Sequence, residues 1–94
     1  MIETRFRFEL GAYIERAVLA LKASDREVAA PILTSAVALA EQHPSYARET
    51  PAQLNKLLTL VREAKLAGGF GINSALHGVD LERRINILLQ PSAY

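Results

Sequence analysis

The sequence predicts an all-α fold, a small four-helix bundle whose helices run alternately up and down. Two observations carry this prediction. Aliphatic residues recur along most of the chain at the three- and four-residue spacing of an amphipathic helix. Half of the residues are hydrophobic but only 6% are aromatic, a composition that suits packing of helix on helix. At 94 residues, we expect a single helical domain over residues 1–94.

The clearest predicted helix spans about residues 51–67. Thr50 is placed to cap its first turn through the hydroxyl, and Gln53 completes a capping-box pattern. Pro51 takes the first helical position, where its missing N–H costs nothing. Gly68 follows the last periodic residue and can adopt the left-handed conformation that ends helices. The helix carries one apolar stripe, made of Leu54, Leu57, Leu58, Val61 and Ala64.

The N-terminal segment fits two interpretations. Apolar and charged residues alternate over residues 2–10, as in a half-buried strand. Two of these apolar residues, Phe6 and Leu10, also begin a helical stripe that continues to Leu21. We favour a helix over about residues 5–23, although Gly11 costs it about 1 kcal/mol relative to alanine. A strand here would have no partner within the chain and would need one from another molecule.

A second helix is predicted over about residues 25–42. Ser24 begins its capping pattern, and the helix is expected to stop before Pro44. Pro31 removes one backbone hydrogen bond, so it either kinks the helix or marks its true start. Residues 28–40 carry no charge. The helix is therefore either central in the bundle or exposed on one side to a partner.

The last helix is predicted over about residues 80–90, with Asp80 as its cap and an optional preceding turn at residues 73–77. Residues 43–49 are interpreted as a polar connection. The glycine-rich stretch between the last two helices holds Phe70, which is either tucked against the bundle or presented to a partner.

No motif in the sequence indicates catalysis, a metal site or a cofactor. The chain has no cysteine, and its two histidines, His43 and His77, are not at a metal-ligand spacing. The glycines near Phe70 follow a predicted helix and are not followed by a lysine, unlike a phosphate-binding loop. We therefore expect a non-enzymatic protein that binds neither metal nor cofactor.

Charge and hydropathy indicate which partners and which cellular location to expect. The net charge of +1 argues against a dedicated binder of polyanions. The uncharged run over residues 28–40 has 13 residues, too few to span a bilayer, and the N-terminal residues lack an apolar run of the signal-peptide type. We expect a cytoplasmic protein without a membrane partner.

The apolar content suggests the function. Four short helices have a limited interior, and several large apolar residues, Leu19 and Leu60 among them, fall off the main stripes. Large exposed apolar patches mark interfaces. We expect a protein–protein interaction module, a homodimer, of the kind found among adaptors and bacterial or phage accessory proteins. The residues predicted to bind the partner are Phe8, Val37, Leu39, Phe70 and Ile87.

The alternative hypothesis is a nucleic-acid-binding regulator. Its basic face would combine two arginine pairs, one near the N-terminus and one on the last helix. These pairs converge only if the first and last helices are neighbours. The residues are Arg5, Arg7, Arg83 and Arg84.

Overall fold

A computed structural model describes residues 2–68 and 75–90, and these residues form helices joined by short turns. There are no strands within these two ranges, so the predicted all-α class is confirmed. The helices are α1 (Ile2–Lys22), α2 (Arg26–Gln42), α3 (Pro44–Arg48), α4 (Pro51–Leu66) and α5 (Ala75–Leu89).

The four long helices pack as a small bundle around α2 and α4, which contact each other. Helix α1 packs on both of them, and so does α5. Within the described residues α1 and α5 do not contact each other. The two helices therefore flank the central pair, and each has one face turned away from the bundle.

All four long helices contribute to one hydrophobic core. Helix α2, which carries no charge over residues 28–40, is central, because one whole face of it is buried: Ala29, Leu33, Ala36, Val37 and Ala40. The largest fully buried side chains are Leu10, Leu33, Val37, Leu54, Leu57, Val61, Leu81 and Ile85.

Helix α1 decides between the two interpretations of the N-terminal segment. It is helical from Ile2 onward, so the strand interpretation is wrong and the helix begins earlier than predicted. Phe6, Leu10, Ile14 and Ala17 are buried at helical spacing. Burial of this stripe against α2 and α4 outweighs the period-2 pattern of the first residues.

Helix α1 ends abruptly at the turn that leads into α2. The N–H of Asp25 donates to Ala20 O at 2.8 Å and the N–H of Ser24 donates to Leu21 O at 3.1 Å, the two bonds of a Schellman motif. Ser24 has a φ of +59°, where glycine is usual. Asp25, and not Ser24, is the N-cap residue of α2, and its side chain makes no capping hydrogen bond.

Helix α2 runs through Pro31 without interruption, so the alternative start at Pro31 is wrong. The missing N–H leaves Glu27 O without its intrahelical donor. The predicted kink stays a prediction.

Helix α4 matches its predicted bounds closely, but its cap differs. Thr50 is the N-cap residue and Pro51 begins the helix, yet Thr50 makes no side-chain capping bond. Its hydroxyl and its N–H both donate to Ala47 O, each at 3.0 Å, because they close the preceding helix α3. At the other end Gly68 has a φ of +80°, which confirms its predicted role.

The structure contains two helical segments beyond the predicted helices: a short additional helix and an N-terminal extension of the last one. Residues 44–48 form the short helix α3, in which Pro44 takes the first position and Ala47 is fully buried. Helix α5 begins at Ala75, five residues before the predicted start. Asp80 therefore lies inside a helix and is not its cap.

Replacing Ser24 with glycine should raise the free energy of unfolding by about 0.5–1 kcal/mol, because glycine has no Cβ to oppose a left-handed conformation. Ser24→Ala keeps a Cβ and should give no such gain. Urea unfolding of both variants and the wild type measures the difference. A less stable Ser24→Gly variant would contradict the role assigned to this turn.

Candidate interaction surfaces

The outer face of α5 carries a row of apolar side chains. Leu76 is 81% exposed, Val79 is 50% exposed and Ile87 is 47% exposed. Arg83 lies between them on the same face, since positions separated by three, four and eleven residues share one side of a helix. We call Leu76, Val79, Arg83 and Ile87 the α5 stripe. It extends about 16 Å along the helix axis at 1.5 Å per residue.

The opposite face of α5 packs in the bundle, so the stripe must face away from the bundle. Glu82 pairs with Lys65 of α4 at 2.5 Å and with Arg62 at 3.7 Å. On the other side Arg84 donates from Nε to both carboxylate oxygens of Glu41 of α2, at 3.1 and 3.0 Å. The buried residues of this face are Gly78, Leu81, Ile85 and Leu88.

The charged residues of the stripe and of its edge form ion pairs within α5. Arg83 lies 2.5 Å from Asp80, and Arg84 lies 3.3 Å from the other oxygen of the same carboxylate. The hydrogen bond from Arg83, with a smaller contribution from Arg84, lowers the pKa of Asp80 below its ordinary value of 3.8. The hydrogen bonds to Glu41 raise the pKa of the Arg84 guanidinium.

The outer face of α1 is a second, sparser apolar surface. Phe8 is 77% exposed and Leu19 is 63% exposed. They are eleven residues apart, so they lie on one side of the helix about three turns from each other. Ala12 and Glu15 lie between them. We call these four residues the α1 stripe.

A groove of about 360 Å³ runs between α1 and α4. Its apolar lining comes from Val18, Leu21 and Leu60, and Thr59 adds a hydroxyl. Charges of both signs surround it, from Lys22, Lys56 and Glu63. This mixture indicates no particular ligand charge.

Both histidines are accounted for by packing within the bundle. The ring of His43, between α2 and α3, lies 5.6 Å from Phe6 and 5.9 Å from Tyr46, centroid to centroid. His77 Nε2 lies 2.9 Å from Thr34 Oγ1 of α2. Because the Thr34 hydroxyl donates to Ala30 O, His77 Nε2 is the donor in this contact. His77 lies in the first turns of α5.

The predicted partner-binding residues divide into three groups. Phe8 and Ile87 are exposed on the α1 and α5 stripes. Val37 is fully buried in the core and Leu39 is half-buried against it, so neither belongs to an exposed apolar surface. Phe70 lies outside the described residues.

Sequence reasoning did not select Leu76 and Val79. Both lie before the predicted start of the last helix at about residue 80, Leu76 in the optional preceding turn, so no helical face was expected there. The signal that could have found them is the apolar spacing of residues 76, 79 and 87, which continues the period of the last helix toward its N-terminus. Gly78 obscured this continuation, because glycine lowers helix propensity.

The four arginines of the alternative hypothesis do not converge. Arg5 and Arg7 lie on α1 and Arg83 and Arg84 on α5, and these two helices do not touch in the described structure. Each guanidinium also has a carboxylate partner: Glu9 for Arg5, Glu3 for Arg7, Asp80 for Arg83, and Glu41 with Asp80 for Arg84. The condition on which this hypothesis depended is not met.

In ranges 2–68 and 75–90 there is no group of three or more histidine or carboxylate side chains that could hold a metal ion. None of the described helices combines the length and the hydropathy needed to cross a membrane. Comparison of the chain with protein-family models, curated proteins and solved structures found no match.

Replacing Asp80 with asparagine should reduce the loss of stability in acid. Since the pKa of Asp80 is lowered by folding, its contribution is fully present above pH 3.8 and is lost as the pH falls below that value. Thermal unfolding between pH 6 and pH 2 should therefore show wild type and variant converging at low pH. High salt should shrink their difference near neutral pH, because the pair is exposed. Parallel acid profiles would contradict this account.

Proposed function

We propose that this protein is a non-enzymatic protein-interaction module that associates with a second copy of itself. The observation that carries the proposal is the alignment of its exposed apolar side chains. Within the described residues seven large apolar residues are exposed, and five of them lie on the α1 and α5 stripes: Phe8, Leu19, Leu76, Val79 and Ile87.

The alignment of these exposed apolar side chains matters more than their number. Single exposed leucines are ordinary on protein surfaces and need no explanation. Neighbouring apolar residues on one helix face can be covered together by a single partner helix, and each fully buried side chain contributes about 1.5–3 kcal/mol. Several such contacts are needed, because association itself costs about 4–15 kcal/mol.

The electrostatics favour a second copy as the partner. A net charge of +1 produces little long-range repulsion between identical chains. Each described arginine of the two flanking helices, except Arg16, is paired with a carboxylate, so these faces do not present an unbalanced charge that would select a strongly acidic partner.

Sedimentation equilibrium at micromolar to tens-of-micromolar concentration tests the proposal. The wild type is expected to approach twice its chain mass of 10.3 kDa. Replacing Phe8, Leu19, Leu76 and Ile87 together with glutamine should give a monomer with unchanged helical content, because these side chains contribute little to the core.

A matched control replaces exposed apolar residues away from the stripes. Val28→Gln with Leu66→Gln should leave the association intact. A wild type that stays at 10.3 kDa over the whole concentration range would overturn the proposal.

A further inference from the structure

We propose that the self-association occurs through the α5 stripe, with α5 of one copy packed antiparallel against α5 of the second copy across a twofold axis. This inference rests on the proposed self-association and adds its surface and geometry. Its occupant is α5 of an identical chain, because an antiparallel copy places Arg83 of the stripe opposite Asp80 at its edge, whereas a parallel copy places like charges opposite one another.

The apolar ends of the stripe set the register. Leu76 and Ile87 are eleven residues apart, so an antiparallel pair centred between Leu81 and Glu82 places Leu76 opposite Ile87 of the second copy. Twofold symmetry makes this contact twice. The two largest exposed apolar groups of the stripe are then both covered.

The same register aligns opposite charges. Asp80 and Arg83 are equally distant from the centre, so Asp80 lies opposite Arg83 of the second copy. Each copy already holds these two side chains 2.5 Å apart. The centre of the interface thus has four charges of alternating sign, and Val79 can pack on the aliphatic stems of the arginines. A parallel pair would instead place Arg83 against Arg83 and Asp80 against Asp80, which is unfavourable.

The α1 stripe fits a second copy less well. Pairing Phe8 with Leu19 in an antiparallel arrangement brings the two copies of Glu15 within about 4.5 Å along the axis. Glu15 has no ion pair among the described residues, whereas Arg83 is neutralised by Asp80 within its own helix. An α1 interface would therefore bury two uncompensated carboxylates, which is unfavourable.

Charge reversal at the two central positions tests the arrangement. Asp80→Arg and Arg83→Asp should each weaken self-association about tenfold or more, because each places like charges opposite one another. An equimolar mixture of the two variants should form a heterodimer, since both cross-pairs are then opposite in sign. The double variant D80R/R83D should regain self-association for the same reason.

The control is the exposed pair Arg5 and Glu9 on the side of α1, which is also an ion pair within one helix. Arg5→Asp and Glu9→Arg should leave the dissociation constant unchanged. Circular dichroism of every variant verifies that the helices form, and recovery in the mixture excludes misfolding as the reason for a lost dimer.

The outcomes separate this inference from the proposed function. A monomeric wild type overturns both. A wild-type dimer that survives both single reversals overturns the α5 interface and leaves self-association standing. A dimer lost in both single variants but not recovered in their mixture overturns the antiparallel register.

Discussion

The burial of the apolar face of α4 is the interaction on which the rest of the structure depends. Leu54, Leu57 and Val61 have no exposed surface. Helix α4 contacts all three other long helices, and α1 and α5 do not touch each other in the described structure. The central pair of α4 and α2 therefore joins the two flanking helices into one core, and each flanking helix is left with one uncovered face.

Because of this packing, the outer face of α5 is an exposed surface of the bundle. Its buried face packs on α4 and α2, and ion pairs on both of its sides, Glu82 to Lys65 and Arg84 to Glu41, fix its rotation. A helix held in this way cannot turn its outer apolar side chains inward. Within the described residues the α5 stripe therefore remains exposed for as long as the bundle is folded.

The sequence was sufficient for the class of fold because periodicity and packing agree over most of the chain. Helix α4 shows this best: Pro51, the apolar stripe and Gly68 all took their predicted roles. Caps were less predictable, because a hydroxyl such as that of Thr50 can bond backward to Ala47 O as readily as forward into its own helix. Which element it serves depends on whether a helix such as α3 precedes it.

The candidate surface could be predicted only in part. Phe8 and Ile87 were selected because they fall off the apolar stripes, and both are exposed. Val37 is fully buried and Leu39 is half-buried, and the sequence could not show this, because the uncharged residues 28–40 do not reveal which face of α2 is covered by neighbours. Leu76 and Val79 were missed because Gly78 breaks the local propensity of α5, and packing of Leu81 and Ile85 in the core overrides that loss.

A single intermolecular distance tests the central claim most directly. The chain contains no cysteine, so Gln90→Cys can carry one spin label per copy, near the C-terminal end of α5. Antiparallel pairing centred between residues 81 and 82 places the two attachment points about 27 Å apart, from the rise per residue and a helix separation of 8–10 Å. Dipolar spectroscopy should find that separation. A separation of about 10 Å, as in a parallel pair, or no coupling between copies would contradict the account.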